Sequence, residues 1–308
     1  MSRYRNALLF FTLAALWGGS FVAIEIGLKF YPPVLYAAYR FDFAAVILVS
    51  YVLLTRDAPL PTTRADLLAI LLAGGFTVAA NNSLLFVGQQ YTTSGIAAVT
   101  YSLVPIMTAA VAGVIAQGSG LDARGALGVL LGLVGVAFVA QPDPENLTGG
   151  VTIGVALVFL GVTAVSIGSV GLRELETTFS SIETTAWAML AGGFFMHLFS
   201  IGLGESQKLP VAEPMAIVAL GFLSVFASAA AYSIYFTLLD RVGAFQINLV
   251  SYVVPVVATV AGWALLGESV TVYTVVGFCI IVVGFVLLKR AAIRRELPKV
   301  RGAIGNWF

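Results

Sequence analysis

Apolar residues run along this chain in blocks of about twenty, separated by short polar or glycine-rich breaks, from one end to the other. A hydrocarbon core of roughly 30 Å takes about 20 helical residues at about 1.5 Å each. Ten runs meet that length, near 7–28, 33–54, 66–87, 94–116, 123–140, 150–172, 183–203, 215–237, 244–266 and 272–288. No ten-residue alternation of apolar and polar positions recurs, as a membrane barrel would require. The pattern predicts an all-α polytopic membrane protein with ten transmembrane helices. The weakest division lies within 94–140, where Gln117-Gly118-Ser119-Gly120, with Asp122 and Arg124, supplies the break. The opening Met1 to Arg5 and its apolar run read as a retained first helix. The run is too long for a leader's apolar region, and no small-residue cleavage site closes it.

Charge orients these helices. An even number of spans puts both termini on one side. With that side inward, 13 of the 16 lysines and arginines fall inside, from Arg3 and Arg5 to Lys299 and Arg301. Only Lys29 and Lys208 fall outside, and Arg40 lies within a span. The outer loops carry Asp143, Glu145, Glu205, Glu213 and Glu268 instead. A basic excess on one side is the usual mark of cytoplasmic loops, so the expectation is a multi-pass protein of the inner (plasma) membrane with both termini cytoplasmic.

Composition narrows the function. The chain is 59% hydrophobic and 10% charged, against about 25% charged for a soluble domain. A net charge of +1 leaves no basic face for phosphates, which argues against nucleic acid. The lone Cys279 permits no disulfide within the chain. With His197 as the single histidine, no His/Cys metal site and no cofactor is expected. An intramembrane enzyme lacks its parts, having no G-x-S-x-G, no H-E-x-x-H and one histidine to serve as base.

The chain also resembles itself at an offset near 150 residues. Ser83-Leu84-Leu85-Phe86 falls on Ser233-Ile234-Tyr235-Phe236, and Tyr101 to Pro105 falls on Ser251 to Pro255. With one residue of slippage Gly135 meets Gly284. The expected repeats are 1–145 and 146–308, the second carrying a basic tail. Five spans per repeat is odd, so the halves enter the membrane in opposite senses. Such inverted repeats are a known route to alternating access around a central site.

Polar groups inside the membrane are the candidates for function, since a charge at a helix centre costs about 2.5–3.5 kcal/mol. Glu25, Lys29, Arg40, Asp42 and His197 lie within or near the spans, in their outer half. Their plainest role is pairing, Glu25 with Lys29 and either Glu25 or Asp42 with Arg40, in a structural or gating capacity. The sharper alternative is proton exchange at Glu25. His197 reads as a packing histidine before a proton relay. Trp17, Asn81, Asn82, Tyr101, Tyr232, Tyr235, Gln246, Asn248 and Tyr252 form a mixed polar and aromatic set suited to a solute with an apolar body. Aromatics at helical spacing also serve as packing, and half of the set is expected to line a cavity. Pro105 and Pro255 each free a carbonyl one turn earlier and kink their helices. Gly128 and Gly132, flanked by Gly125 and Gly135, form a small-residue face that packs within the bundle, with a homodimer contact as the alternative and a monomer favoured.

Trp17-Gly18-Gly19-Ser20-Phe21 resembles the opening motif of the EamA-type transporters of the drug/metabolite transporter superfamily. Arg40-Phe41, Thr92-Thr93-Ser94-Gly95, the Pro105 and Pro255 helices and Leu266-Gly267-Glu268 match the same pattern in order and spacing. The resemblance covers about residues 7–290. One departure is Gln117 to Gly120, where the family often repeats the glycine-glutamate loop. The resemblance implies ten helices in two inverted five-helix repeats around a central cavity. It further implies a secondary transporter that exports amino acids, aromatic or otherwise hydrophobic, and related small metabolites, as bacterial aromatic amino acid exporters do. A channel-like facilitator, a carrier of another metabolite class and a scaffold are the alternatives. The partners expected are a small-molecule substrate and the lipid bilayer.

Overall fold

The structure is a computed structural model that describes residues 2–56, 60–115, 123–141, 149–207, 213–290 and 293. Among these residues every regular element is helical. Nine helices are long and apolar enough to cross a membrane: α1 Tyr4–Gly27, α2 Pro33–Thr55, α3 Arg64–Gln89, α4 Ser94–Val114, α5 Ala123–Ala140, α6 Gly150–Arg173, α7 Ser181–Gly202, α8 Pro214–Gly243 and α9 Gln246–Leu266. The shorter apolar helix Val272–Leu288 is α10. These follow the apolar blocks closely. The departure is α8, which runs on to Gly243, where φ of +85° breaks the helix before α9. Only glycine takes that conformation without strain, so the turn sits where the apolar pattern carries no signal. The divider Gln117 to Gly120 with Asp122, the outer acids Asp143 and Glu145, and the tail beyond 293 lie outside the described residues.

The packing repeats under a shift of five helices. Helix α1 packs on α9 as α6 packs on α4, and α1 meets α8 as α6 meets α3. Helices α2 and α7, α4 and α9, and α5 and α10 pair with their own counterparts. This is the pattern of a two-fold axis relating two five-helix repeats, and an odd number of spans inverts one against the other.

Local chemistry follows the same symmetry. The Asp66 carboxylate closes a capping box with Thr63 at the start of α3, and it also accepts from the backbone N–H and hydroxyl of Thr178, each at 2.8 Å. It thereby ties the loop before α3 to the loop before α7. On the opposite face Glu205, after α7, accepts from the backbone N–H groups of Val34 (3.0 Å) and Leu35 (2.8 Å) at the start of α2. Helix starts offer unpaired N–H groups and favour nearby carboxylates. Each carboxylate locks a loop of one repeat to a loop of the other.

Helices α3 and α8 each carry a π-helical stretch at matching depth, Ala73–Ala80 and Phe222–Ala230. Each widens its helix just before the residues that face the interior. The small-residue face of α5 is filled by α10: a Cβ on Gly128 would lie 2.6 Å from the Gly284 carbonyl, and one on Gly135 2.7 Å from that of Gly277. That face thus packs within the chain, as expected from the sequence.

Candidate functional site

Between the repeats lies a cavity of about 260 Å³. Its wall is aromatic on one side. Trp17 meets Tyr232 at 5.9 Å and Tyr235 at 5.6 Å between ring centroids, and Phe21 stands edge-on to Tyr101 at 6.0 Å. The π stretch of α8 delivers Tyr232 and Tyr235, while that of α3 delivers Asn81 and Asn82 to the same space.

The polar groups have defined partners. Asn81 Nδ2 donates to Tyr101 Oη at 2.9 Å and to the Thr77 carbonyl at 3.2 Å. Asn82 Nδ2 donates to the Val78 carbonyl at 2.8 Å, which leaves its own oxygen as an acceptor. Arg40 is 6% exposed, donates from Nε to Ser228 Oγ at 2.9 Å, and lays its guanidinium against the rings of Phe41 and Phe86. Lipid offers no hydrogen bonds, so every one of these groups is tied to another helix or turned to the cavity.

The lining of the cavity reaches Asn248, at the beginning of α9, on the face where α1 begins and α10 ends. Toward the other face three sets of bonds tie the helices together. Gln89 Nε2 donates to the Phe21 carbonyl at 3.0 Å, and Tyr36 donates to the Ala23 carbonyl at 3.0 Å. The Glu268 carboxylate accepts from Ser94 N (2.9 Å), Ser94 Oγ (2.9 Å) and Gly95 N (3.3 Å), capping α4 from 174 residues away. Leu266-Gly267-Glu268 is built for this. Gly267 takes φ of +69° and ends α9 in a left-handed cap, and the Glu268 N–H bonds back to the Gly262 carbonyl at 3.2 Å. Beyond these bonds a second cavity, about 320 Å³, is lined by Glu25, Lys29, Tyr91, Thr92, Thr93 and Glu268.

Of the residues singled out in the sequence, Trp17, Asn82, Tyr101, Tyr232, Tyr235 and Asn248 line the central cavity, with Asn81 and Arg40. Tyr252 does not. It points away from its cavity-lining neighbour Ser251 and packs on Phe285 of α10 at 4.5 Å. Pro105 and Pro255 stay out of the lining, but the carbonyls they free belong to Tyr101 and Ser251, which are in it.

The pairs weighed for Arg40 do not form, while Glu25 and Lys29 share the second cavity. Asp42 bonds His197 at 2.6 Å, with the Tyr39 ring beside the imidazole, on the outer flank of α2 and α7. Two residues along a helix is a turn of about 200°, so Asp42 and Arg40 cannot face the same neighbour. Glu25 lies in the second cavity, and neither carboxylate is within pairing distance of Arg40 among the described residues. Ser228 and Gln89 were not singled out in the sequence, and Ser20 and Phe21 entered only through the Trp17 to Phe21 motif, because such residues in or beside an apolar run name no partner. No group of three His, Cys, Asp or Glu that could hold a metal gathers among the described residues.

Comparisons with known proteins agree with this architecture. The model of the EamA-like transporter family matches residues 5–141 and again 152–290. An "uncharacterized inner membrane transporter", YedA, of Escherichia coli K12 is 30% identical over 282 residues, covering 90% of this chain and 88% of that one. An "uncharacterized transporter" of Archaeoglobus fulgidus is 25% identical over 274 residues, covering 89% and 95%. One solved crystal structure superposes with a TM-score of 0.63 at 20% identity, covering 95% of this chain and 99% of that chain, a likeness of fold. With both halves matched by the same family model, the chain belongs to the EamA-like transporter family.

Proposed function

We propose that this membrane transporter exports amino acids with apolar side chains, aromatic ones in particular, and related small metabolites by alternating access across the inner membrane. The observation that carries the reading is the central cavity, lined as far as Asn248 toward the terminal face, bounded by inter-helix bonds toward the other, and walled by aromatics opposite amides. At about 260 Å³ it is smaller than the pockets of about 300–1,000 Å³ that hold drug-sized ligands, which suits a single metabolite. The basic excess near the termini supports placing that face in the cytosol, so the cavity would load from inside. The site is complete within one chain, which supports a monomeric transporter.

The test is counterflow in vesicles reconstituted with the purified protein. Vesicles preloaded with unlabelled phenylalanine, leucine or alanine should accumulate the labelled form saturably, the aromatic one fastest. A panel of amino acids that fails to exchange, while another metabolite class does, would remove the substrate class and leave the transporter. Flux that rises without saturation would favour a channel-like facilitator.

A further inference from the structure

We propose that Arg40 is the anchor for a carboxylate of the transported solute, so that the cavity recognises a carboxylate and needs no ammonium; this deepens the amphipathic-metabolite reading of the same site. Arg40 is buried in the membrane interior, 6% exposed, and lines the cavity. A guanidinium so placed normally has a carboxylate beside it, because an unpaired charge in such a place is costly. Here the one hydrogen bond it makes is Nε to Ser228 Oγ, and among the described residues no Asp or Glu comes within pairing distance. Asp42, the nearest acid in sequence, is taken by His197, and Glu25 sits beyond the closure with Lys29 and Glu268.

The two terminal nitrogens, the fork that binds a carboxylate through two parallel bonds, are therefore unspent. Their surroundings are aromatic rings and hydroxyls. Phe41 and Phe86 lie under the guanidinium, and Tyr36, Tyr101 and Tyr232 stand within electrostatic reach of it. These shape a pocket for an anionic head. From that head the apolar body of the solute extends along Trp17 and Tyr235 toward the terminal face. Among the described residues no carboxylate lines the cavity, so a substrate ammonium meets neutral acceptors there, such as the Asn82 oxygen. Arg173, at the end of α6, lies within electrostatic reach of Tyr235 and favours an anion at the mouth.

The test is calorimetric binding to the detergent-purified full chain, independent of any transport. The probes are 3-phenylpropionate and its neutral amide, which share size and ring and differ in charge. The acid should bind about tenfold tighter or better than the amide, and 2-phenylethylamine should bind weakest. Arg40→Gln should abolish the preference of acid over amide, and Arg40→Lys should keep part of it. Equal binding of acid and amide to the wild type, or no binding of the acid, overturns the proposal whether or not any variant folds. Counterflow that fails for every amino acid while the acid still binds through Arg40 would instead remove the export reading and leave the anchor standing.

Discussion

Glu268 holds the far closure, and its removal should open the cavity to the face opposite the termini. The carboxylate receives three hydrogen bonds from the first turn of α4, two of them from backbone N–H groups. Hydrogen bonds to a charged group contribute about 1.5–3 kcal/mol each when buried. Glu268 is only half-buried at the rim of the second cavity, so about 1 kcal/mol each is the fair figure after screening. Loss of all three then takes about 3 kcal/mol from the closed state. At about 1.4 kcal/mol per decade, the ratio of closed to open molecules falls by roughly 100-fold. Glu268→Gln keeps an acceptor oxygen and turns an amide toward the N–H donors, so its effect should fall between wild type and Glu268→Ala.

The assay places a reporter one turn below the closure. Ala98 lines the central cavity on α4 and is buried. Ala98→Cys in a Cys279→Ser background gives one thiol there. A membrane-impermeant maleimide added to intact cells reaches it only through the far closure, once protease protection of a terminal tag has fixed which face is outside. Labelling should be slow in the reporter protein and at least tenfold faster when Glu268→Ala is added. A rate unchanged within twofold, in a variant that purifies monodisperse, means that Glu268 is not the latch.

Four further outcomes are expected. Tyr252→Phe should leave counterflow unchanged, because its hydroxyl has no partner and faces α10, whereas Tyr101→Phe, losing the bond from Asn81, should raise the KM several-fold. Asp42→Asn should lower the Tm in detergent by an amount matching the loss of a partly screened bond, about 1 kcal/mol, and His197→Ala should add nothing further to it if the two act as a pair. Gly135→Val should collapse the α5/α10 seam, where even a Cβ meets a carbonyl at 2.7 Å, and thermal unfolding should show a loss of several kcal/mol. Glu25 has one carboxylate oxygen buried and unpartnered, with Lys29 and Glu268 as its charged neighbours; if it carries a proton across the cycle, counterflow should respond to a pH gradient in the wild type and lose that response in Glu25→Gln.

The helix count was legible because span length is a property of the solvent, and the chain obeys it wherever α1 to α10 cross. The repeat was legible for a related reason, since Ser83/Ser233 and Pro105/Pro255 sit at equal depth. Contacts between distant segments were not. Leu266-Gly267-Glu268 stands out as a motif, yet nothing in it names Ser94 as the partner of its carboxylate. The charges misled for a geometric reason. Arg40 and Asp42 are close in sequence, which suggested a pair, while helical rotation sends one to Ser228 and the other to His197. The π stretches of α3 and α8 were hidden because residues such as Ala79-Ala80 and Ala229-Ala230 would suit an ordinary helix equally well.

The two-fold frame reaches into the cavity wall itself. Residues 150 apart line it in pairs: Asn82 with Tyr232, Leu85 with Tyr235, Ala98 with Asn248, Tyr101 with Ser251 and Val104 with Val254. The duplication thus gave both repeats the same inward positions, and divergence filled them differently. A lining that had stayed identical would hold a solute equally well in two opposed orientations. Here α7, the counterpart of α2, has neither lysine nor arginine, so the charge of Arg40 stands on one side only and, as the proposed anchor, would give the solute a head and a tail. The sequences have diverged in the same way. Glu268 clamps α4 at the far face, while the sequence between α4 and α5 has Gln117 to Gly120, outside the described residues, in place of a glycine-glutamate turn. In the proposed cycle the symmetric frame makes two access states available. The unshared residues, Arg40 in the wall and Glu268 at one gate, would then decide which way the solute lies and which state the empty protein prefers.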